Sequence, residues 1–460
     1  ADIEHCRERT DDERLMICDA NFGLIRDRDL EIAKFMAQSR RRTGYPGKVI
    51  MTWSQAKGET ILEIGDVLKE MTMMTTSSQS MNPEVLKNIK RRNISNEDWL
   101  RNVAFSKANN IDTYGELMLS LPGETQSSFF DAVRFLFEVD VDFININPLI
   151  LLEGADLNTP EQREKYGFVT RYRLMENCYG IYDGEAVIES QEMVIETSTL
   201  TLDEFILCRT VAWLLQLSWN LRRHDTLLRL MNELGVNPLD FLLRVICDAS
   251  AAPPSVAGLF QDFDRDSREE YFLTRDDLVA HYEQPEEMDN LRNGGFRKLN
   301  THYSSRVSLE CEADMIGHFR DVAKSLFREM PSPPADWEAM VDDCVNLMKN
   351  RYLSSDDLWQ LAEGRDLTKV VDSRFTISGY HGRDGLALMP QDFQGHETHY
   401  TFYVDEEQRG ALLEHLERFD GLSREYQLRK LQEPYHGIHK RHLLYRVAAL
   451  NISAAATAAE

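Results

Sequence analysis

The first 160 residues alternate short apolar runs with stretches whose apolar residues recur at helical spacing. Five apolar runs have the length of strands, and they lie at residues 15–18, 48–53, 73–76, 114–120 and 141–147. Helical stretches separate them, as at residues 27–41 and 126–137. Strands joined by helices pair in parallel through right-handed crossovers. This alternation therefore predicts a parallel α/β fold for the N-terminal third of the chain.

Polar or turn-forming residues follow each of these predicted strands. The five strand ends are Asp19-Ala-Asn-Phe-Gly23, Trp53-Ser-Gln-Ala-Lys57, Ser78-Gln-Ser-Met-Asn82, Leu119-Ser-Leu-Pro-Gly-Glu-Thr125 and Asn145-Ile-Asn-Pro-Leu149. Carboxyl ends of parallel strands lie on one side of a sheet or barrel, where such folds bind their ligands. We therefore expect one ligand-binding rim. The alternative is that these residues only terminate the strands.

The remaining chain has a different character. Capped amphipathic helices dominate from residue 159 onward, for example behind the capping box Thr201-Leu-Asp-Glu204. Strands return near residues 400–404 and mix with helices up to the C-terminus. We predict three domains: a partial barrel over residues 1–158, a mainly helical accessory domain over 159–370 and an α+β region over 371–460.

Composition excludes several classes of partner. The formal net charge is −25, which argues against non-specific binding to nucleic acid or to an anionic membrane surface. No apolar run reaches the roughly 20 residues of a membrane span. The seven cysteines form no CxxC pair and are scattered through the sequence. These features predict buried thiols in a reducing compartment and a cytoplasmic location.

Two groups of histidines raise the question of a metal site. They are His396-Glu-Thr-His399 and His436-Gly-Ile-His439-Lys-Arg-His442. Neither group has a third ligand on a recognisable element, and the second lies among basic residues. We expect surface or substrate-facing histidines here and assign no metal ligands.

The five strand ends, taken together, resemble the radical SAM superfamily, and most of all its members with an upstream cobalamin-binding domain. The resemblance is strong over residues 1–155 and weaker to about residue 215. It implies a partial parallel (β/α) barrel that holds a 4Fe-4S cluster and S-adenosylmethionine, with cobalamin as a further cofactor. In that family the cluster reductively cleaves S-adenosylmethionine to a 5′-deoxyadenosyl radical. The implied activity is radical chemistry on a small molecule, such as methyl transfer or rearrangement, with flavodoxin or ferredoxin as reductant.

The resemblance also assigns roles to the first three matched strand ends. Asp19 and Asn21 occupy the place that contacts the amino group of S-adenosylmethionine. Lys57 is placed to meet the methionine carboxylate or the substrate. Gln79 and Ser80 lie where the ribose hydroxyls are held. The alternatives are that Asp19 caps the next helix and that Lys57 is simply solvated.

The last two strand ends are assigned to the adenine in the same way. Ser120, Gly123 and Glu124 form the turn that supports the base, and Asn147 lies beside it. The chemistry is consistent, since a zwitterionic ligand needs an acid for its ammonium group and donors for its carboxylate. Gly123 is also expected to be a turn glycine whatever it binds.

One departure from the family concerns the cluster. Three cysteines in a CxxxCxxC motif hold it in the family, and this sequence contains no such motif; Cys6 and Cys18 are twelve residues apart. We expect that the chain lacks the first barrel strand and the cluster loop, and that it is inactive by itself while the full-length protein is an enzyme. The competing hypothesis is a non-catalytic barrel protein that has lost its cluster.

Overall fold

The computed structural model describes residues 2–54, 58–93, 95–109, 111–377, 388–432 and 443–449. The chain forms two compact units. The first, here called the N-terminal unit, comprises Ala1–Leu149 and Thr197–Leu200, and the second comprises Ile150–Glu196 and Thr201–Glu460. The division into domains at residues 158 and 370 stays a prediction.

The N-terminal unit alternates strands and helices as the apolar pattern predicts. Its elements are α1 (Asp2–Arg7), β1 (Arg14–Phe22), α2 (Arg26–Thr43), β2 (Lys48–Trp53), α3 (Gly58–Leu68), β3 (Met74–Gln79), α4 (Pro83–Asn88), α5 (Asn96–Ala108), β4 (Thr113–Leu119), α6 (Gln126–Glu138) and β5 (Phe143–Pro148). The side chains of Asn82, Ser95 and Thr125 accept hydrogen bonds from the first turns of α4, α5 and α6 and so cap these helices.

Every strand pair in this unit is parallel, which confirms the predicted α/β class. The described strands form two sheets, one of β1 and β2 and one in the order β3-β4-β5. Between β2 and β3 there is contact without a ladder: the Val49 N–H donates to the Met71 carbonyl at 2.6 Å, and Trp53 Nε1 donates to the Met73 carbonyl at 2.9 Å. Closure into a partial barrel therefore stays a prediction.

The helices of the N-terminal unit bury one face each against the strands. In α6 the buried residues include Phe129, Val133, Leu136 and Phe137, at the spacing of one helical stripe. Trp53 joins α2 and α3 in a second cluster of buried apolar side chains. This packing holds the strands in place and so determines where their carboxyl ends lie.

The second unit is mostly helical. Its strands are β6 (Val169–Tyr182), β7 (Glu185–Glu196), β8 (Thr368–Phe375), β9 (Phe393–Tyr403) and β10 (Arg446–Ala449). Its helices are α7 (Pro160–Tyr166), α8 (Leu202–Leu215), α9 (Asp225–Glu233), α10 (Pro238–Cys247), α11 (Pro254–Glu269), α12 (Arg275–Tyr282), α13 (Pro285–Asn290), α14 (Leu299–Arg306), α15 (Glu312–Glu329), α16 (Trp337–Arg351), α17 (Ser355–Ala362), α18 (Glu406–Arg418) and α19 (Arg424–Leu431).

Short turns of other helical types link several of these elements. They lie at Asp156–Asn158, Gln216–Asn220, Asp248–Ala251, Leu291–Gly295, Val307–Cys311 and Pro390–Asp392. Strands β6 and β7 form an antiparallel hairpin, and β10-β9-β8 form an antiparallel sheet. Aromatic rings fill the helical core, where Trp213 stacks on Phe263 with ring centroids 4.7 Å apart. Among the described residues, no helix is both long enough and apolar enough to cross a membrane.

Candidate functional site

The carboxyl ends of β3 and β4 meet in a buried polar contact. Ser80 Oγ donates a hydrogen bond to Glu124 Oε2 and accepts one from the Asn82 N–H at 3.0 Å. Ser128 Oγ donates to the other carboxylate oxygen, Oε1. We call this arrangement of Ser80, Glu124 and Ser128 the Ser80–Glu124 joint. It joins two strand ends that are 44 residues apart in the sequence.

Burial sets the electrostatics of the joint. Glu124 is 1% exposed, and this burial raises the pKa of its carboxyl above the ordinary value of 4.5. The hydrogen bonds from Ser128 and Ser80 act in the opposite direction, because they stabilise the charged form. A carboxyl in such surroundings can hold a proton at a higher pH than an exposed glutamate.

The turn that carries Glu124 is constrained on both sides. Ser120 has a positive φ of +68° and Gly123 one of +86°. A Cβ at Gly123 would lie 2.8 Å from Asn88 Nδ2, and that amide donates to the Pro122 carbonyl at 2.9 Å. Gly123 therefore allows both the left-handed conformation and the close approach of α4.

Ser120 has a polar atom without a protein partner. Its side chain is fully buried, and no described residue forms a hydrogen bond with its Oγ. A buried hydroxyl in this state costs free energy, so such atoms are rare in folded proteins. A group supplied by a ligand would satisfy it.

The strand end after β1 is held by a buried carboxylate. Asp29 Oδ2 accepts from the Gly23 N–H at 2.8 Å and from the Ile25 N–H at 3.1 Å. Arg28 joins this carboxylate to Asp19, with Nε 2.6 Å from Asp29 Oδ1 and Nη2 2.7 Å from Asp19 Oδ2. The turn is thus fixed by Asp29, which the strand-end pattern did not single out.

Asp19 lies within β1, and its carboxylate is engaged by neighbouring groups. Its Oδ1 accepts from the Asn21 N–H at 2.9 Å, and this hydrogen bond, followed by the Arg28 guanidinium, lowers the pKa of the Asp19 carboxyl. Asp19 therefore stays charged, as a partner for an ammonium group must. The side chain of Asn21 is exposed.

The end of β5 forms a separate polar pair. Asn147 Nδ2 donates to Glu116 Oε1 on the neighbouring strand β4 at 2.7 Å. Both side chains are half-buried. Glu116 lies inside β4, so the strand-end pattern did not include it, although its carboxylate interrupts an otherwise apolar strand and was a visible signal.

The structure brings some of the predicted residues together and leaves others apart. Gln79 is half-buried, has a φ of +60° and directly precedes Ser80, so it lies next to the joint in sequence. Among the described residues, no hydrogen bond connects Asp19 or Asn147 to this joint. Lys57 lies outside the described residues.

A residue distant in sequence also supports the joint. Thr199 Oγ1 donates to the Glu124 carbonyl at 2.7 Å, across 75 residues of sequence. It belongs to the short segment Thr197–Leu200, which packs with the N-terminal unit. No local pattern marks Thr199, since it is a hydroxyl in a turn between a strand and a capped helix.

The described residues hold no group of three or more His, Cys, Asp or Glu side chains placed to bind a metal ion. All seven cysteines are free thiols. Of the two histidine groups, His399 Nδ1 contacts Asp372 Oδ1 at 2.5 Å on the exposed face of β9, and His436, His439 and His442 lie outside the described residues.

This chain is homologous to cobalamin-dependent radical SAM methyltransferases. TokK from Streptomyces tokunonensis, a cobalamin-dependent radical SAM methyltransferase, is 36% identical over 203 residues, or 43% of this chain and 29% of TokK. The 2-(S-pantetheinyl)-carbapenam-3-carboxylate methyltransferase of Streptantibioticus cattleyicolor shows the same identity and coverage. The matched part is less than a third of the length of these relatives. The resemblance stated from the sequence is confirmed.

Solved structures of a further methyltransferase show a more distant similarity. The radical S-adenosylmethionine methyltransferase TsrM from Kitasatospora setae, with cobalamin and a [4Fe-4S] cluster bound, is 17% identical, with a TM-score of 0.29 and coverage of 35% of this chain and 32% of TsrM. TsrM with tryptophan and a SAM analogue bound is 15% identical, with the same TM-score and 39% of each chain covered. No protein-family model matches the sequence.

Proposed function

We propose that this chain is the S-adenosylmethionine-binding part of a cobalamin-dependent radical SAM methyltransferase that acts on a small molecule. The observation that carries the proposal is the Ser80–Glu124 joint beside the unpartnered hydroxyl of Ser120. It lies at the carboxyl ends of adjacent parallel strands, where α/β folds bind ligands. The homology to two methyltransferases supports the choice of reaction.

The contacts within the site support two roles for the predicted residues: some position the turn, and others are assigned to the ligand. Both oxygens of Glu124 and the hydroxyl of Ser80 are engaged with each other or with the start of α6, so we infer that these residues position the turn. The Ser120 hydroxyl is buried without a partner among the described residues, and Gln79 lies half-buried next to Ser80 in sequence. We assign Gln79 to the ribose hydroxyls and Ser120 to the adenosine.

Three further strand ends complete the proposed site. Asp19, kept charged by Arg28 and the Asn21 N–H, would receive the ammonium group of S-adenosylmethionine. Lys57 is assigned to its carboxylate or to the substrate. Asn147, held by Glu116, would lie beside the adenine. This division requires the ends of β1 and β3–β5 to form one rim, as a partial barrel does.

The residues of this chain fit one cofactor of the family, S-adenosylmethionine, and do not fit another, the 4Fe-4S cluster. The buried hydroxyl of Ser120 fits S-adenosylmethionine, which supplies a methyl group or, after reductive cleavage, a radical. A 4Fe-4S cluster does not fit, because the sequence has no CxxxCxxC motif and the described residues form no metal site. We derive no step through the cluster, and we assign no residue to cobalamin. A reductant such as flavodoxin or ferredoxin and a cytoplasmic location are parts of the same proposal.

Binding of S-adenosylmethionine to the chain tests the proposal. Ser120→Ala should weaken binding about three- to tenfold, the value of one lost hydrogen bond, while leaving the stability of the free protein unchanged or higher. Ser39→Ala is the matched control, because Ser39 is also buried with an unpartnered hydroxyl but lies in α2. Equal affinities for the parent chain and both variants would refute the assignment of Ser120.

Gln79 can be tested in the same titration. Gln79→Ala should also weaken binding, whereas Gln38→Ala, on the exposed face of α2, should not. Unchanged affinity in both Gln79→Ala and Ser120→Ala would reduce these strand ends to plain turn residues.

The second candidate function is a non-catalytic binding protein that keeps the fold without the cluster. The missing cysteine motif favours it. The gene sequence before the codon for Ala1 separates the two candidates. A CxxxCxxC motif within about fifty codons supports the enzyme, since the cluster needs three thiolates at that spacing.

A further inference from the structure

A basic cavity lies beside the Ser80–Glu124 joint. Its volume is about 720 Å³, and its lining includes Lys87, Lys90, Arg91 and Arg92. Residues 85–96 contain these four basic side chains and no acidic one, in a chain with a net charge of −25. The cavity is therefore lined by positive charge, although the protein as a whole carries a net negative charge.

The basic side chains project from a rigid turn. The Arg91 N–H donates to the Leu86 carbonyl at 2.8 Å and the Lys90 N–H to the Lys87 carbonyl at 3.1 Å, which closes the end of α4. Lys90 adopts a φ of +56°, a conformation that costs a residue with a side chain free energy. These hydrogen bonds hold the backbone at Lys90 and Arg91, where the Lys-Arg-Arg sequence begins.

The turn is also tied to the candidate site. Asn93 Nδ2 donates to the Ser80 carbonyl at 2.7 Å, and Asn88 Nδ2 donates to the Pro122 carbonyl at 2.9 Å. One wall of the cavity is thus attached to β3 and the other to the turn after β4. Met81, Pro83 and Leu86 add an apolar surface, and Ser95 and Asn96 add the start of α5.

We propose that this cavity binds a phosphate group of a small-molecule ligand. Arginine forks and lysine ammonium groups are the side chains that bind phosphate oxygens. The volume suits an organic phosphate with an apolar portion against Met81 and Leu86. Within this cluster, Lys87 is paired with Glu84, whose Oε2 lies 3.6 Å from Lys87 Nζ.

Titration of the chain with inorganic phosphate and with phenyl phosphate tests the proposal, with phenol as the ligand that lacks phosphate. Arg91→Gln/Arg92→Gln should weaken binding of both phosphate compounds by roughly tenfold, the combined value of two exposed ionic contacts. Arg41→Gln/Arg42→Gln removes an equivalent pair of exposed arginines from α2 and should change affinity less than about twofold.

The outcomes separate the possible sources of the phosphate. Tighter binding of phenyl phosphate than of inorganic phosphate, with phenol inactive, identifies an organic phosphate ester. Equal binding identifies a site for free phosphate compounds. Absence of saturable binding, or equal losses in both double variants, would overturn the proposal, and the basic cluster would then be left as a docking surface for an acidic protein.

Discussion

Ser80 Oγ donates a hydrogen bond to Glu124 Oε2, and both side chains are buried. This contact links the end of β3 to the start of α6 through one hydroxyl. Because Ser80 also accepts from the Asn82 N–H and Glu124 also accepts from Ser128, each group satisfies more than one partner. The contact therefore stabilises two turns at once, and both are turns of the candidate site.

Two replacements of Glu124 should distinguish how much its hydrogen bonds and its charge each contribute to stability. Glu124→Ala leaves the buried Ser80 hydroxyl without its acceptor and removes one partner of the half-buried Ser128 hydroxyl, and it should lower the free energy of unfolding by about 2 kcal/mol. Glu124→Gln keeps an amide oxygen and should cost less than about 1 kcal/mol near neutral pH. Urea unfolding of the two variants and the parent chain measures both values; equal losses would show that the hydrogen bonds are not what holds the turn.

The pH dependence of Glu124→Gln gives a second test. Since burial raises the pKa of Glu124, the folded state binds this proton more tightly than the unfolded state. The contribution of Glu124 is therefore greatest below pH 4.5 and falls as the pH rises through the raised pKa. The stability gap between the parent chain and Glu124→Gln should narrow from about pH 4 to about pH 7. Glu31→Gln, at an exposed site in α2, controls for the substitution; a constant gap contradicts the prediction.

Asp29 should be a large contributor to the stability of the N-terminal unit. Asp29→Ala removes a fully buried carboxylate that accepts from the Gly23 and Ile25 N–H groups and from Arg28, and it should cost about 3 kcal/mol. Asp27→Ala is the matched control, because Asp27 lies in the same helical turn with its side chain 94% exposed, and it should cost less than about 0.5 kcal/mol. Similar unfolding midpoints for the two variants would disprove this role.

The helices and strands of the N-terminal unit could be predicted because each is marked by residues that lie close together in the sequence. The apolar run at residues 48–53 is β2, and the caps at Asn82, Ser95 and Thr125 are each completed within three residues. The interruption between β2 and β3 was not predictable, since neither KVIMTW nor MTTSSQ shows which neighbouring strand it pairs with. Sequence alternation gives the order of strands and leaves open whether neighbours form a ladder.

The contacts of the candidate site depend on backbone conformations that the sequence does not signal. Gln79 and Ser120 both adopt a positive φ, which is uncommon outside glycine, and these conformations help aim Ser80 and Glu124 at each other. Thr199 reaches Glu124 from 75 residues away. Asp29, by contrast, was accessible to sequence reasoning, because an aspartate in the first turn of a helix often binds N–H groups of the preceding loop.

His224 in the second unit should make the chain sensitive to acid. Burial, followed by the charge of Arg223, lowers the pKa of His224 to about 3, so the folded state disfavours its protonation. Its contribution is present above pH 6.5, the ordinary value, and is lost progressively as the pH falls toward 3. The loss is at most about 1.4 kcal/mol for each pH unit in this range.

His224→Phe tests this pH dependence while keeping an aromatic ring at the position. His224 stacks on Phe319 with centroids 4.1 Å apart, and its Nδ1 is hydrogen-bonded to Ser218 Oγ at 3.1 Å. The variant should be less stable near pH 7, because Ser218 loses its partner, and the difference should shrink or reverse near pH 5. His396→Asn, at an exposed position of β9, is the control. A difference that does not vary with pH contradicts the assignment.

Iron–sulfur reconstitution tests how this chain differs from its relatives. Cys6 and Cys18 are the only cysteines of the sequence within the N-terminal unit, and three thiolates are needed for the family's cluster. We expect the 460 residues, after anaerobic incubation with iron and sulfide, to retain iron far below one cluster per chain. Cys6→Ser/Cys18→Ser should retain the same small amount, because neither thiol acts as a cluster ligand. Stoichiometric iron with a visible cluster absorption that disappears in this double variant would place the cluster on these two cysteines. In that case the assignment of Asp19 and Asn21 to S-adenosylmethionine would be wrong, because Cys18 beside them would be a cluster ligand.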